Sequence, residues 1–429
     1  MNLHIKKTNC GELLYEAVSE NCIEVFEEQP SLDTLREFAR NHESPTDRLD
    51  IIDSPVTCTE CENQFDSRFG ATLTGDLICW ECAMSETGET EQGVTRTTDP
   101  AKVVLSESGL HHKSLCDYVI NVATGCSHGC EFCYVPSTPN VAARQDMLND
   151  RADVEDGQQE WGSYLLYRDD LPERLARTLD RKQKWNSTSR GRGVVMLSSG
   201  TDCYQDRRTA QITRGCVSEL VKRHIPVRIL TRSPTVCRDL DLYKTATEKT
   251  SDGMLVRVGS SIPCLDEKQV RAIEPSAPIP SARLDALQTL SDAGVPVYVS
   301  MSPTYPTQDR NDFDNLMSKF AELEPEVVFH EPINPRGANF QMTIDAARDS
   351  GQDDLADELE ALRNREQWVK YSLKQMRWAE KLGAKYDIDV HVWPDKQVMA
   401  AVGTGMRENL QNQREKPSPE HIPEVSLSS

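Results

Sequence analysis

Cysteine is the residue whose spacing carries most chemistry in this chain of 429 residues. The run Cys126-Ser-His-Gly-Cys130-Glu-Phe-Cys133-Tyr134 puts three thiols in one short segment. Three thiolates so close in a loop can each hold one iron of a cubane [4Fe–4S] cluster. The fourth iron then has no ligand in the motif, and an open metal position can take a small molecule. A three-cysteine zinc site completed by His128 is the competing arrangement, but His128 stands between two ligands and its ring would have to fold back. A second group, Cys58-Thr-Glu-Cys61 and, seventeen residues on, Cys79-Trp-Glu-Cys82, has the spacing of a tetrahedral four-thiolate zinc site. The segment around it has too few apolar residues to fold without metal. It reads as a zinc ribbon over 52–88, with a rubredoxin-like iron site as its rival.

The chain has 14 cysteines, and in a cytosolic protein clustered cysteines hold metal or do redox chemistry more often than they form disulfides. The seven scattered ones (Cys10, Cys22, Cys116, Cys203, Cys216, Cys237, Cys264) read first as small buried hydrophobes. A hydrophobic share of 38% with 27% charged residues describes a soluble globular protein. No apolar run reaches the length of a membrane span and the N-terminus has no secretory stretch, so the expected location is cytoplasmic and no membrane partner is expected. The net charge of −21 disfavours indiscriminate coating of nucleic acid. With 31 Arg against 17 Lys, the acid-rich, Lys-poor composition resembles that of proteins from salt-loving organisms. Strong salt would screen that charge, so a local basic groove could still hold a nucleic acid.

These residues need elements to position them. Helical spacing at Leu13, Leu14, Ala17 and Val18, and at Leu32, Leu35 and Phe38, predicts a small helical lead-in over 1–51. After the ribbon, residues 89–115 read as a linker, since Glu86–Pro100 is dominated by Thr, Glu and Gly. Over 116–402, aliphatic runs alternate with amphipathic segments, the pattern of strand–helix units on a parallel sheet. Seven strands are expected, at 118–122, 193–198, 226–230, 255–259, 295–301, 327–329 and 389–392. Leu284, Leu287 and Leu290 share the face of a helix that Gly294 ends, and Asp353–Leu382 reads as one long amphipathic helix. Residues 403–429, rich in Pro, Ser and Glu from 412 on, read as a disordered tail.

With those motifs in place, the chain resembles the radical S-adenosylmethionine (SAM) superfamily, whose cluster motif is CxxxCxxC followed by an aromatic residue, here Tyr134. The run Thr124–Tyr134 is similar to the spore photoproduct lyase-like branch, also called the DNA repair photolyase-like group. Ser198–Gln205, Leu230–Asp241 and Gly259–Glu267 match further segments of its pattern, and the resemblance covers about residues 116–400. It implies an α/β fold, a partial (β/α)6 barrel with the cluster after the first strand and SAM across the C-terminal strand edges. It also implies reductive cleavage of SAM to a 5′-deoxyadenosyl radical that abstracts hydrogen from a substrate, and a reductant such as ferredoxin or flavodoxin. A non-catalytic, redox-responsive binding module with zinc and iron–sulfur sites is the alternative class.

By the same resemblance, Tyr134, Ser199, Thr201, Asp202, Arg232 and Ser261 are the expected SAM contacts. Arg232 stands where the branch usually has Lys, so it would meet the SAM carboxylate as a planar fork. The spore photoproduct lyase uses a cysteine hydrogen donor where this chain has Gly200, which makes repair of that lesion doubtful. Cys203 is the candidate replacement donor. Glu331, Asn334 and Arg336 are candidates for the substrate mouth. Arg174, Arg177, Arg181, Lys182, Lys184, Arg190 and Arg192, with Trp185, could track a nucleic-acid strand or simply form a solvated helix face. The substrate, nucleic acid, protein or small molecule, is left open by the residues.

Overall fold

A computed structural model describes residues 93–110, 115–182, 193–197, 199–248 and 255–415, together with the backbone of seven short strands before residue 80. The chain divides into two compact units, one of Thr95–Ser233 and Asp241–Ser429, the other of Met1–Val94 with Pro234–Leu240.

In the N-terminal unit, Asn2–Lys7, Leu13–Val18 and Ile23–Phe26 form a three-stranded antiparallel sheet. The helical lead-in is therefore corrected at Leu13, Leu14, Ala17 and Val18. A six-residue segment cannot sustain a helix alone, whereas pairing on both sides satisfies its backbone. Leu32, Leu35 and Phe38 lie outside the described residues. Two hairpins follow, Pro55–Thr57 with Gln64–Asp66 and Gly70–Leu73 with Asp76–Cys79. Cys58 and Cys61 fall in the sequence between the first pair of strands and Cys79 closes the last. Cys58, Cys61 and Cys82, and the side chain of Cys79, lie outside the described residues.

The larger unit is α/β. Its strands are β1 (Thr95–Thr98), β2 (Ser106–Glu107), β3 (Tyr118–Ile120), β4 (Ala123–Gly125), β5 (Tyr164–Tyr167), β6 (Val195–Leu197), β7 (Val227–Leu230), β8 (Val256–Ser261), β9 (Val297–Thr304), β10 (Val328–Pro332) and β11 (Val390–Val392). An eight-stranded sheet runs β2-β3-β6-β7-β8-β9-β10-β11, parallel from β3 onward, with β2 antiparallel at one edge. Each of the seven expected strands is present. Within this sheet each parallel strand neighbours the next in chain order, β4 and β5 being set aside in a second sheet, so right-handed crossovers place the helices on one face and leave the other to curl inward as a partial barrel. The alternation follows: Val227 and Ile229, Val256 and Val258, and Val297, Val299 and Met301 are buried on one side, and Arg228, Tyr298 and Phe329 meet on the other.

Three boundaries differ from the sequence reading. The linker contains β1, parallel to β5, which pairs with β4 in a separate three-stranded sheet. Its Thr-rich run suits a pleated surface. The Asp353–Leu382 helix is two, Asp353–Ala361 and Arg365–Tyr386, because the Asn364 side chain accepts hydrogen bonds from the Glu366 and Gln367 amides and starts a new helix. The tail contributes a helix at Thr404–Glu415, with Leu410 buried and the Arg407 guanidinium on the Met399 carbonyl; residues 416–429 lie outside the description.

Asp99, just after β1, is buried and accepts hydrogen bonds from Arg144, from Arg168 at 2.8 Å and from Thr124 at 2.7 Å. Burial alone would raise its pKa. The hydrogen bond from Arg144, the charge of Arg168 and the bonds from Thr124 and Ala101 outweigh that and hold it at about 2, below 3.8. A depressed carboxylate stabilises the fold above its unfolded pKa, so about 2 kcal/mol is present above pH 4 and lost as pH falls toward 2. Asp99→Asn is expected to cost about 3 kcal/mol at pH 7, since two arginines lose their buried partner. Denaturant titration checks this, and the variant's stability should be flatter than the wild type's between pH 4 and pH 2.

Candidate active site

The cysteine loop, Ser199 to Cys203, Arg232 and Ser261 lie at the C-terminal ends of β4, β6, β7 and β8, whereas Arg174, Arg177, Arg181 and Lys182 lie on or just after the helix Leu171–Arg181, and Lys184, Trp185, Arg190 and Arg192 lie outside the described residues. The loop carrying Cys126, Cys130 and Cys133 leaves β4 at Gly125, whose φ is +90°. A Cβ there would lie 2.1 Å from the Tyr164 carbonyl oxygen on β5, so only glycine lets the two strands pair this closely. The loop folds on itself through Gly129 N–H to Cys126 O and Cys133 N–H to Cys130 O. It is pinned outside by Glu131 N–H on Ile273 O and by Asn339 Nδ2 on Phe132 O.

All three thiols are free of disulfides, Cys126 and Cys130 are buried, and Cys133 is half-buried. Burial pushes Cys130 up to about 12 and Cys133 to about 11; it drives Cys126 well above the ordinary thiol value, the charges of Asp202 and Cys130 adding to the effect. Metal-free, the thiols are protonated, and metal capture would release protons. Among the described residues, no three Cys, His, Asp or Glu side chains converge as a single ion requires. A donor set of three neighbouring, mutually interacting thiols suits a cubane, where each sulfur holds its own iron. His128 turns instead toward Asp202, its Nδ1 3.5 Å from Oδ2, and burial holds it below the ordinary imidazole value against the pull of that carboxylate.

Asp202 is the junction of the site. Its Oδ1 accepts from Tyr204 N–H at 2.9 Å and the Thr231 hydroxyl at 2.6 Å, and its Oδ2 from Arg232 N–H at 2.8 Å. One buried carboxylate thus ties the loop after β6 to the loop after β7 beside the cysteine loop. Thr201 donates to Gly125 O at 2.5 Å and accepts from Gln205 Nε2. Gln205 Oε1 in turn takes both the backbone N–H and the hydroxyl of Ser127. Asn121 Oδ1 accepts from Gly200 N–H at 2.8 Å and lies 3.4 Å from the Ser199 hydroxyl.

Arg232 sends Nε to Glu274 Oε2 at 3.0 Å and lies over the Phe132 ring, 5.7 Å from its centroid. Glu274 is fully buried and also accepts from Arg283 at 2.5 Å and from the Tyr305 hydroxyl at 3.0 Å. Burial would raise Glu274, but the two arginines hold it below the usual carboxylate range. Arg283 donates onward to Ser261 O at 2.8 Å, which brings the buried end of β8 into the same network.

Tyr134 is 59% exposed at the loop's end, and Cys203 is completely buried beneath the end of β6. Arg336 is paired with Asp395 rather than open to a ligand. Glu331 sits within β10, and the Asn334 Oδ1 is buried. Sequence reasoning missed Asn121, Glu274 and Arg283. It quoted Gln205 and His128 without a positioning role. Gln205 and His128, each inside a quoted motif, carried a signal; Asn121, Glu274 and Arg283 carried none.

Gln205→Ala removes the bridge between Ser127 and Thr201. It is expected to cost about 2 kcal/mol and to speed alkylation of Cys126, Cys130 and Cys133 several-fold in metal-free protein, read by mass spectrometry of labelled peptides.

The comparisons fall into place on this geometry. The family model described as the Radical SAM superfamily matches residues 120–320. An uncharacterized protein, ORF301, of Acidianus two-tailed virus is 31% identical over 248 residues, covering 56% of this chain and 76% of that protein. An uncharacterized protein of Methanocaldococcus jannaschii is 27% identical over 190 residues, 44% of this chain and 61% of that one. Among solved structures, a spore photoproduct lyase mutant with bound AdoMet and dinucleoside spore photoproduct aligns with a TM-score of 0.42 at 13% identity, over 59% of this chain and 66% of that one. Streptococcus suis SuiB bound to S-adenosylmethionine aligns at 0.36 and 8%, over 95% and 76%. The family model, with the CxxxCxxC motif of Cys126, Cys130 and Cys133 inside its span, places residues 120–320 of this chain in the radical SAM superfamily.

Proposed function

We propose that the protein is a radical SAM enzyme in which Cys126, Cys130 and Cys133 hold the iron–sulfur cluster. The observation that carries this reading is the placing of three neighbouring thiols, two buried and one half-buried, beside Asp202 and the strand ends of a sequentially ordered parallel sheet. A [4Fe–4S] cluster held by Cys126, Cys130 and Cys133 would supply the electron for reductive cleavage of SAM, the chemistry by which hydrogen would be abstracted from a substrate.

The chain's own part is to bind, orient and exclude water. Ser199, Thr201, Asp202, Arg232, Ser261 and Tyr134 surround the SAM side of the loop in this reading. Asp202 and Arg232 already have internal partners, so they act through the loops they shape and the charge they hold. Neutral His128 and the Arg232 cation give the thiolates a buried, polar surround. A protein reductant such as ferredoxin or flavodoxin fits the electron requirement. The substrate class is nucleic acid, protein or small molecule. Gly200, standing where the spore photoproduct lyase has its donor cysteine, argues against that particular lesion. Cys58, Cys61, Cys79 and Cys82 are proposed as a zinc site on their spacing alone.

Anaerobic reconstitution is expected to load about four irons and four sulfides, to change the electron paramagnetic resonance signal on adding SAM, and to release 5′-deoxyadenosine under reduction. Joint replacement of the three cysteines by Ala should abolish all three. Iron retained by that variant would refute the assignment, and a loaded wild type that never cleaves SAM would favour a redox-responsive binding module. For the donor role of Cys203, Cys203→Ala should still form 5′-deoxyadenosine but give uncoupled product. Fully coupled turnover in that variant would remove the thiol from the reaction.

A further inference from the structure

The helix α1 (Leu171–Arg181) presents three faces. Leu171, Leu175 and Leu179 are buried. Asp180 turns to α2 (Arg207–Val221) and its extension, accepting from Arg223 at 3.0 and 2.8 Å. The third face carries Arg174, Arg177, Thr178 and Arg181, at steps of three and four residues. With Lys182 and the segment Lys102, Val104 and Leu105 it lines a groove of about 570 Å³. Five of those eight lining residues are cationic and none is acidic, in a chain whose net charge is −21.

The groove is built rather than incidental. Arg174 is fixed by the Ala101 carbonyl at 3.0 Å and by Asp170 at 3.1 Å, and Lys182 lies 4.9 Å from the Tyr118 ring centroid. Lys102, Arg177 and Arg181 are exposed and make no ion pair among the described residues. Tyr118 opens β3, so this end of the groove lies at the start of a strand, opposite the end that leads to the cysteine loop.

We propose that this groove docks the backbone of a single-stranded nucleic acid. At about 1.5 Å of rise per residue, Arg174, Arg177 and Arg181 repeat every 5 Å or so along the helix. One small anion cannot meet such a row, whereas a polymer with regularly spaced phosphates meets it at several points. Guanidinium forks pair two phosphate oxygens at once, and the regular phosphates of one strand can meet successive forks along the row. Val104 and Leu105, with Val103 58% exposed beside them, give an apolar floor for sugar and base faces. The groove is a docking surface away from the reaction site, and the proposal stands independently of the cluster assignment.

Fluorescence anisotropy with a labelled 15-nucleotide single strand, as DNA and as RNA, tests it over a salt series. Wild type should bind either strand with a salt-dependent affinity. Arg177→Ala/Arg181→Ala should bind at least tenfold more weakly, and its slope of log affinity against log salt should be shallower by about 1.4, for two phosphates lost. Lys102→Gln should show about half that change in slope, and unaltered thermal melting of both variants identifies the loss as one of contact. Unchanged affinity and slope in the double variant overturn the proposal. So does equal competition by poly-L-glutamate at matched charge, which would assign the groove to an acidic protein partner.

Discussion

A buried carboxylate that joins three loops is the interaction on which the site depends. Asp202 takes two backbone amides and one hydroxyl from residues that follow two different parallel strands, and it faces the imidazole of the cysteine loop. Burying such an anion without these donors would cost far more than any one hydrogen bond returns. The loops after β6 and β7 can therefore close only in the arrangement that brings Thr231, Arg232 and Tyr204 together. The cysteine loop is fixed against that arrangement by Thr201 and Gln205.

A second layer of the same logic lies behind it. Glu274 balances two arginines and a tyrosine in a space closed to water. Charges that would each be costly alone become tolerable as a set, because both carboxylate oxygens of Glu274 and the Nε of each arginine find a partner. The set is also directional. It holds Arg232 over Phe132 in the cysteine loop, next to Cys130, so positive charge stands where three thiolates would carry negative charge. The ordering of a metal-binding loop is thus shared between hydrogen bonds to its backbone and an electrostatic surround set by residues far away in the chain.

The cysteine spacing, the seven parallel strands and the residues at their ends were legible because each is local. Thiol spacing is set by one loop, and an aliphatic run between turn signals announces a buried strand by itself. What could not be read depends on distant partners. Glu274 and Arg283 look like ordinary helix-end and helix-surface charges, and nothing near them in sequence says that both are buried. Thr95–Thr98 looked like linker because its partner β5 lies about 70 residues away. Leu13–Val18 fits either period, and its neighbours on both sides decided for a strand. Asn364 was passed over because an apolar stripe continues across it, although a capping side chain ends one helix and begins the next.

The short antiparallel strand β2 bears on how the molecule keeps to itself. A parallel sheet that does not close exposes a ladder of unsatisfied amides and carbonyls at its margin, which invites a strand from another chain. Here the margin beside β3 is covered by two residues, Ser106 and Glu107, and the second is exposed. So little ladder remains outside them, and a carboxylate in its place repels the next acidic molecule. Resistance to edge-to-edge aggregation is therefore built into the same few residues that lead from the basic groove to the first barrel strand.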